Sequence, residues 1–306
     1  MLAELKPLIL KPSNDYGSEL HRKKLAKWFH TGDVIRLCTG RYIKTSDFHS
    51  LTLEEQYALR ILSTASRTSK VVVSHTSAAF LHGLFLPQAE FTKLPSFRAP
   101  QGTNLNTARI KLYKYRTKPE LTTIEGIRTT SLAQTLIDCS RELSGEKALC
   151  LIDDALHSKK VLKKELDFLI QLSCPVRFRT RIQKIIDFST AQSDSHGESL
   201  TRWNLHQLGA PKPVLQYPIR VKGYQFFVDF AYPEYKLFLE FDGRTKYRGS
   251  YGVGSAVLEK EKWREDLIRE ATGFTFKRIT WEIAKNPALL AKELRYHLPL
   301  NAQMSL

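Results

Sequence analysis

Residues 224–242 constrain the fold most strongly, because two segments rich in Phe, Tyr, Val and Leu flank the turn-forming pair Pro233-Glu234 in YQFFVDFAYPEYKLFLEFD. Such residues favour strands, and a turn between two such segments predicts a β-hairpin. Side chains alternate along a strand. The second strand is therefore predicted to place its acids and its leucines on opposite faces, with Lys236, Phe238, Glu240 and Asp242 on one face and Leu237, Leu239 and Phe241 on the other.

The acids of this hairpin are predicted to lie within reach of one cation. If Ala231 pairs with Lys236 across the turn, Asp229 pairs with Phe238. Glu240 is then the diagonal neighbour of Asp229, roughly 7–8 Å away. Like charges on adjacent strands repel each other, and Mg²⁺ prefers oxygen ligands, so we interpret Asp229 and Glu240 as metal ligands. The alternative is an exposed acidic sheet face that Lys236 and nearby arginines neutralise.

The composition indicates a folded protein of two or three domains that binds a polyanion. The 306 residues are 42% hydrophobic and 25% charged, as in ordinary globular chains. The formal net charge is +16, and residues 193–306 hold 17 Lys and Arg against 13 Asp and Glu, which leaves 30 against 18 in residues 1–192. This excess favours nucleic acid or an anionic membrane surface as the partner.

The hydropathy pattern argues against the membrane. No stretch approaches the roughly 18 uninterrupted apolar residues of a membrane span, and no cleavage site for a signal peptide follows the start. We therefore expect a cytoplasmic protein without membrane contact. The four cysteines have no C-x-x-C spacing, so Cys38, Cys139, Cys150 and Cys174 are predicted to be buried, reduced thiols.

The front of the chain combines a basic helix with a basic hairpin. Residues 20–30, LHRKKLAKWFH, have helical spacing, and residues 34–39 and 41–45 form two strand-like segments around Gly40. Lys and Arg beside a groove-sized helix are what contacts to DNA phosphates require, although a basic helix face is often only solvated. The predicted DNA contacts are Arg22, Lys23, Lys24, Lys27, Arg36, Arg41 and Lys44.

The runs HRKKLAKWFHTGDVIRLCTGRYI and SHTSAAFLHGLFLP resemble the N-terminal winged-helix domain of the antitoxins of abortive-infection type IV toxin–antitoxin systems. The phrase IEGIRTTSLAQTLIDCSRE is similar to a segment that follows the winged helix in the same proteins. The resemblance implies a winged helix-turn-helix domain over residues 1–85 and an α+β middle domain over residues 86–190. It also implies a cognate toxin or another defence protein as a partner.

The middle region is predicted to hold no catalytic group. Strand-like segments at residues 109–115 and 124–129 precede helices at residues 131–141, 146–157 and 163–172. We interpret Asp138, Asp153 and Asp154 as solvated positions on helix faces. Residues 188–196, FSTAQSDSH, are small and polar, which is typical of an exposed linker before the last domain.

A further acid precedes the hairpin. Residues 197–208 are predicted to form a helix that ends at Gly209, with Glu198 in its first turn. Ser195 and Glu198 have the spacing of a capping box, so Glu198 either caps this helix or reaches the acids of the hairpin. Both interpretations stay open.

Four acids and a lysine then follow in a fixed order, Glu198, Asp229, Glu240, Asp242 and Lys246, before the helical run EKWRED at residues 261–266. This order resembles the PD-(D/E)XK nuclease superfamily, particularly its very-short-patch-repair-like branch. The resemblance implies a restriction-endonuclease-like α/β domain with a mixed central sheet over residues 191–306. It implies these five residues as catalytic, Mg²⁺ or Mn²⁺ as the cofactor, and a supporting role for Lys262, Arg264 and Asp266.

One departure concerns the lysine of this pattern. The superfamily's usual E-x-K places a lysine two residues after the acid, whereas Asp242 stands there, so Lys246 or Lys262 must take that role. Such a cation stabilises charge that develops on the phosphate, while the metal lowers the pKa of the attacking water.

These patterns together predict an α/β (α+β) multidomain protein. Our leading hypothesis is a duplex-DNA-binding protein with a Mg²⁺-dependent endonuclease domain. The alternative is an antitoxin-like transcriptional repressor whose nuclease-like domain is inactive. An RNA nuclease would use the same metal chemistry.

Overall fold

The computed structural model describes residues 1–12, 18–105, 108–115, 117–173, 176–243 and 255–301. The chain divides into two compact units. Unit one comprises residues 1–142 and 164–176, and unit two comprises residues 143–163 and 177–306. The described residues form thirteen α-helices and three β-sheets, which confirms a mixed α/β protein of several parts. The winged-helix and restriction-endonuclease-like assignments stay predictions.

Unit one begins with the predicted helix and hairpin. Its first elements are helix α1 (Leu2–Leu5), helix α2 (Ser18–Thr31), strands β1 (Val34–Cys38) and β2 (Arg41–Lys44), and helices α3 (Thr45–Ser50) and α4 (Leu53–Ala65). Strands β1 and β2 pair antiparallel, and Gly40 provides the left-handed φ of 69° at the turn. Thr52 and Glu55 form a capping box at the start of α4.

A five-stranded sheet follows in the same unit. Its strands are β3 (Val72–Val73), β4 (Ser96–Pro100), β5 (Lys111–Tyr115), β6 (Leu121–Ile124) and β7 (Ile127–Thr130), in the order β5-β4-β3-β7-β6. Helices α5 (His75–Leu81) and α6 (Leu132–Glu142) and most of α8 (Lys163–Ser173) complete the unit, with a 3-10 turn at Gln88–Thr92.

The two units differ from the three predicted domains of residues 1–85, 86–190 and 191–306. The predicted boundary after residue 85 separates β3 from β4 and β7, although β3 is hydrogen-bonded to both. The boundary was implied by the extent of the antitoxin resemblance, and strand pairing between residues distant in sequence leaves no local signal that could have shown the connection. Whether the predicted segments fold independently stays a prediction.

Unit two is built on a four-stranded sheet. Its strands are β8 (Val214–Val221), β9 (Tyr224–Tyr232), β10 (Leu237–Asp242) and β11 (Thr275–Thr280), in the order β11-β10-β9-β8. Strands β10 and β11 are parallel and the other pairs are antiparallel, so the sheet is mixed, as expected. The helices are α7 (Gly145–His157), α9 (Val176–Phe188), α10 (His196–Gln207), α11 (Ser255–Thr272), α12 (Trp281–Lys285) and α13 (Pro287–Leu294).

The alternation predicted for β10 is confirmed. Leu237 and Leu239 pack in one apolar cluster with residues of α10, α12 and α13, while Phe238 packs in another with Ile268 of α11. Strand β10 is thus buried between helices on both faces. Its acidic end alone is half-exposed, which places Glu240 at the margin of the core.

The predicted hairpin register is wrong by two residues. Ala231 pairs with Phe238 and not with Lys236, because the turn is longer than the pattern suggested. Pro233–Tyr235 form a 3-10 turn, and Lys236 closes it with a left-handed φ of 49°. The observed register, continued by one step beyond its last pair, places Glu240 directly across from Asp229.

The interpretation of Asp138 and Asp153 as solvated is also wrong. Asp138 is fully buried and bonds Arg98 at 2.7 Å, and Asp153 is buried and bonds Arg202 at 2.6 Å. The backbone N–H of Thr190 donates to Asp153 at 2.7 Å, so residues 188–196 are tied to α7 and are not an exposed linker. Helical spacing alone does not reveal which face meets an arginine distant in sequence.

The expectation for the cysteines was met in the part of the chain that the structure describes. Cys38, Cys139 and Cys150 are buried free thiols, and Cys174 lies outside the described residues. Across the described ranges, no helix is long and apolar enough to cross a membrane.

Candidate active site

Three carboxylates from three elements of unit two meet beside the acidic end of β10. Glu198 lies in the first turn of α10, Asp229 in β9 and Glu240 in β10. Gly197 makes this approach possible, because a Cβ at that position would overlap the Phe241 ring. The helix start therefore packs directly on the strand that carries Glu240.

Glu198 both caps its helix and belongs to the acidic group. The Ser195 hydroxyl donates to Glu198 Oε1 at 2.7 Å and accepts the Glu198 N–H at 3.2 Å, which confirms the capping interpretation. The Asp194 N–H donates to Oε2 at 3.0 Å. Burial raises the pKa of Glu198, and the charge of Glu198 in turn raises the pKa of Asp229. The two interpretations of Glu198 are therefore compatible.

Asp229 is the most perturbed carboxyl of the group. Burial, followed by the charges of Glu198 and Glu240, raises its pKa to about 7. The Phe241 N–H, which donates to Asp229 Oδ2 at 2.7 Å, and the Arg264 guanidinium act in the opposite direction. Burial first, and the neighbouring acids second, therefore disfavour the ionised form of this carboxyl.

Arg264 is the cation that contacts this group. Its Nη2 lies 2.7 Å from Glu240 Oε1 and donates to the Phe227 carbonyl oxygen at 2.6 Å. The guanidinium also lies 5.8 Å from the centre of the Phe226 ring. These contacts fix a half-buried arginine of α11 beside the acidic end of β10.

Asp242 lies near Arg278, which pairs with Glu240 in the register of β10 and β11. Arg278 of β11 lies 3.8 Å from Asp242 and bonds Glu265 of α11 at 2.7 Å. The hydrogen bond to Glu265 is the main cause of the raised pKa of Arg278, and the charges of Glu240 and Asp242 also raise it. Asp242 therefore neighbours a surface ion-pair group that includes Arg278 and Glu265.

The remaining residues predicted for this site fall into two sets. Lys246 lies outside the described residues. Lys262 and Asp266 are exposed on α11, whereas Arg264 of the same helix reaches Glu240. Of the cations proposed to replace the missing lysine, Lys262 is thus not among the observed contacts of Glu240.

Gln216 was not predicted from the sequence. Its side-chain Nε2 donates to Glu198 Oε2 at 3.2 Å, and its φ of 47° is left-handed within β8. Glutamine in a strand carries no sequence signal for such a conformation. Arg278 was missed for a similar reason, since its partners lie on other elements.

The predicted DNA contacts all lie on α2 and the β1–β2 hairpin of unit one. Arg22, Lys23, Lys24 and Lys27 are exposed along α2, as is Lys44 at the end of β2, while Arg36 and Arg41 are half-buried. The Lys24 ammonium lies 4.7 Å from the centre of the Trp28 ring. The structure thus leaves the basic helix face open to solvent, as both the DNA-binding and the solvated-face interpretation require.

The residues that could hold a metal are few. Among the described residues, no three of His, Cys, Asp and Glu form a group that could hold a metal ion. Asp229 and Glu240 face each other by register, and Glu198 adds negative charge to Asp229. Mg²⁺ often binds through one or two carboxylates and completes its shell with water and phosphate oxygens, so this pair fits such an ion.

Comparisons with known proteins give no functional name. No protein-family model matches the chain. Two similar proteins are the uncharacterized proteins MT2308 and Rv2248 of Mycobacterium tuberculosis strains CDC 1551 and H37Rv, each 26% identical over 184 residues. The match covers 60% of this chain and 66% of each relative, so the chain spans slightly less than two thirds of the relatives' length.

Proposed function

We propose that unit two is a divalent-metal-dependent nuclease that hydrolyses phosphodiester bonds of DNA. The observation that carries this proposal is the position of Asp229, whose carboxyl is half-buried next to Glu198 and Glu240 and has its pKa raised to about 7. A fold gains little from placing like charges together in a partly buried site. A bound cation removes that cost, which makes such a group a candidate functional site.

In this proposal Asp229 and Glu240 hold Mg²⁺ or Mn²⁺. The ion, when bound, lowers the pKa of a coordinated water and offsets negative charge on the phosphate. Glu198 adds negative charge beside Asp229 without being a ligand itself. Asp242 is assigned to the neighbouring charge group with Arg278, and Lys246 remains a candidate outside the described residues.

Arg264 takes the role that the missing E-x-K lysine leaves open. It is held at 2.7 Å from Glu240 and at 2.6 Å from the Phe227 carbonyl, so it is positioned without needing to reorganise. A fixed cation beside the metal ligands would stabilise charge on a bound phosphate. An arginine also presents several donors in one plane, which suits phosphate oxygens.

Unit one would supply the affinity for the duplex. In this proposal the exposed cations of α2 and Lys44, with Arg36 and Arg41 of the hairpin, contact the phosphates of the duplex. Contacts to phosphates depend on such cations and weaken as salt rises. Binding of a cognate toxin or defence protein remains part of this proposal.

Nicking of supercoiled plasmid tests the nuclease proposal. We expect wild type to nick DNA with Mg²⁺ or Mn²⁺ and not with EDTA, and Asp229→Ala and Glu240→Ala to lose this activity. Glu234→Ala is the matched control, because Glu234 is an exposed acid in the turn of the same hairpin. Equal nicking by wild type and both site variants would falsify the metal assignment. A single-stranded RNA substrate in parallel distinguishes the two nucleic acids.

A second candidate is a repressor whose nuclease-like unit does not cleave. The observation in its favour is that Glu240 is already paired with Arg264 at 2.7 Å and Asp242 faces Arg278 at 3.8 Å. Internal cations thus offset part of the acidic group. This candidate predicts duplex binding that survives Asp229→Ala but not the joint loss of Arg22, Lys24 and Arg41, with no cleavage of DNA or RNA under Mn²⁺ or Mg²⁺.

A further inference from the structure

Gln216 has a backbone conformation that the fold of unit two does not otherwise require. Of the six non-glycine residues with positive φ in the described ranges, Glu125, Lys159, Lys222 and Lys236 lie in turns or follow a helix, and His75 is the first residue of α5. Gln216 lies inside β8, with a φ of 47°. A left-handed conformation is strained for a residue such as glutamine, and such strained residues cluster at functional sites.

The strand register shows where this residue faces. Leu215 pairs with Phe230 and Tyr217 pairs with Val228, so the position between them sets Gln216 across from Asp229. The register does not shift at this point, and the left-handed residue is therefore not the extra residue of a bulge. The unusual conformation lies at the strand position that neighbours the most perturbed carboxyl.

The side chain of Gln216 reaches the second acid of the group. Its Nε2 donates to Glu198 Oε2 at 3.2 Å, and the same oxygen accepts the Asp194 N–H at 3.0 Å. Ser195 holds the other oxygen, Oε1, at 2.7 Å. The carboxylate of Glu198 is thus held by one donor from the sheet and by others from the start of its own helix.

We propose that Gln216 is a positioning residue, held in a left-handed conformation so that its amide fixes the Glu198 carboxylate against the acidic group of Asp229 and Glu240. The proposal rests on the proposed metal site for its functional consequence. It assigns to β8 the hydrogen bond that holds the Glu198 carboxylate, which neither the other acids nor Arg264 of α11 provides. The backbone strain and the hydrogen bond have one explanation if the side chain must point toward Glu198.

Replacement of Gln216 by glycine distinguishes the effect of losing the side-chain amide from an effect on the stability of the fold. Gln216→Gly removes the amide and at the same time removes the strain of the left-handed φ. We expect an unfolding midpoint equal to or above that of wild type. We also expect a loss of about tenfold in Mn²⁺ affinity by calorimetry, because the Glu198 charge beside the proposed ligand Asp229 is no longer held in place; this is at the low end of the 10- to 100-fold typical of outer-shell partners of a metal site. Gln216→Asn, which tolerates the left-handed region but is one methylene shorter, is expected to show the same loss.

Lys222→Gly is the matched control. Lys222 has a φ of 49° in the turn after β8, and its side chain pairs with Glu270 at the surface. This variant should resemble Gln216→Gly in backbone relief and wild type in Mn²⁺ affinity. Unchanged Mn²⁺ affinity in Gln216→Gly, or an equal loss in Lys222→Gly, overturns the proposal.

The amide proton of Asp194 gives a readout that needs no metal. Since this N–H donates to the oxygen that Gln216 also holds, its chemical shift should move in Gln216→Gly, while that of Phe241, which bonds Asp229, should stay. If wild type binds no Mn²⁺, the proposed function fails, and the Asp194 shift alone decides the positioning role. A shift that does not move overturns that role.

Discussion

Asp138 in unit one is fully buried and Asp229 in unit two is half-buried; the pKa of both is raised, but their neighbours differ in charge. Burial raises the pKa of Asp138 to about 6, and Arg98 and Arg141 counteract it. The pKa of Asp229 is raised to about 7, mainly by burial and then by the charges of Glu198 and Glu240. The Phe241 N–H and the Arg264 charge lower it in part.

The difference separates a structural carboxylate from a candidate ligand. Asp138 accepts two hydrogen bonds from Arg98, at 2.7 and 3.0 Å, and one from Gln134 at 3.1 Å. These donors satisfy the buried Asp138 carboxylate without a further cation. Asp229 has one hydrogen bond from a backbone N–H and lies among acids, so an added cation would change its energetics far more than those of Asp138.

The largest expected effect is the loss of stability when the buried ion pair of Arg98 and Asp138 is broken. Arg98→Met leaves Asp138 buried without its main cation, and loss of one partner of a buried ion pair costs about 3–5 kcal/mol. We expect the free energy of unfolding to fall by that amount in urea, followed by circular dichroism. Asp229→Asn serves as the contrast, because it removes like-charge repulsion and should not lower stability. Comparable losses in both variants would end the distinction between the two sites.

The next effect is the response of the two carboxyls to pH and metal. Both folded pKa values exceed the unfolded value of about 3.9, so the fold favours the protonated forms. Their stabilising contribution is present at low pH and is lost as pH rises through about 6 for Asp138 and about 7 for Asp229. Carboxyl-carbon NMR titrations measure both groups in one sample.

Magnesium should separate the two titrations. A cation beside Asp229 lowers its pKa by roughly 1–3 units, because it favours the charged form, while Asp138 titrates as before. Equal titrations with and without Mg²⁺ would count against the metal site, and a parallel change at Asp138 would indicate a general salt effect.

Arg264 provides a smaller and more selective effect. Its guanidinium bonds Glu240, a proposed ligand, so Arg264→Met removes a competing cation. We expect about tenfold tighter Mn²⁺ binding, equal to about 1.4 kcal/mol, with slower cleavage of DNA. Arg269→Met is the control, because Arg269 of the same helix pairs with Glu265 instead. Weaker Mn²⁺ binding in Arg264→Met would show that the arginine supports the ligand and does not compete.

The smallest effect per residue is expected at the exposed cations of α2. Joint replacement of Arg22, Lys24 and Lys27 by Ala should flatten the dependence of duplex affinity on salt by up to about 0.9 for each phosphate that is no longer neutralised. Replacement of Lys6, Lys11 and Lys70, three exposed lysines of the same unit, keeps the net charge change and should leave the slope nearly unchanged. Equal slopes for both triple variants contradict a specific role of α2.

The sequence predicted those features that depend on local pattern. The alternation of β10, the helix and hairpin at the front and the helix predicted over residues 197–208 follow from spacing and turn residues, whereas the mixed sheet was implied by the nuclease resemblance. It also brought Glu198, Asp229 and Glu240 together through the resemblance. Each of those predictions rested either on the residue spacing within one strand or helix or on a motif that other proteins share.

The misassigned aspartates both have partners distant in sequence. Asp138 meets Arg98 through the sheet of unit one, and Asp153 meets Arg202 through the packing of α7 on α10. The hairpin register depended on how many residues the turn takes, and Lys236 became part of the turn. Gln216 was missed for another reason, because only its left-handed φ distinguishes it from other strand residues.

Titration calorimetry of Mn²⁺ tests the assignment of Asp229 and Glu240 most directly. We expect one Mn²⁺ site in wild type and in Glu234→Gln, and none in Asp229→Asn or Glu240→Gln, with all four proteins folded by circular dichroism. Absence of binding heat in wild type, or equal affinity in all four proteins, would contradict the assignment of these two carboxylates as metal ligands.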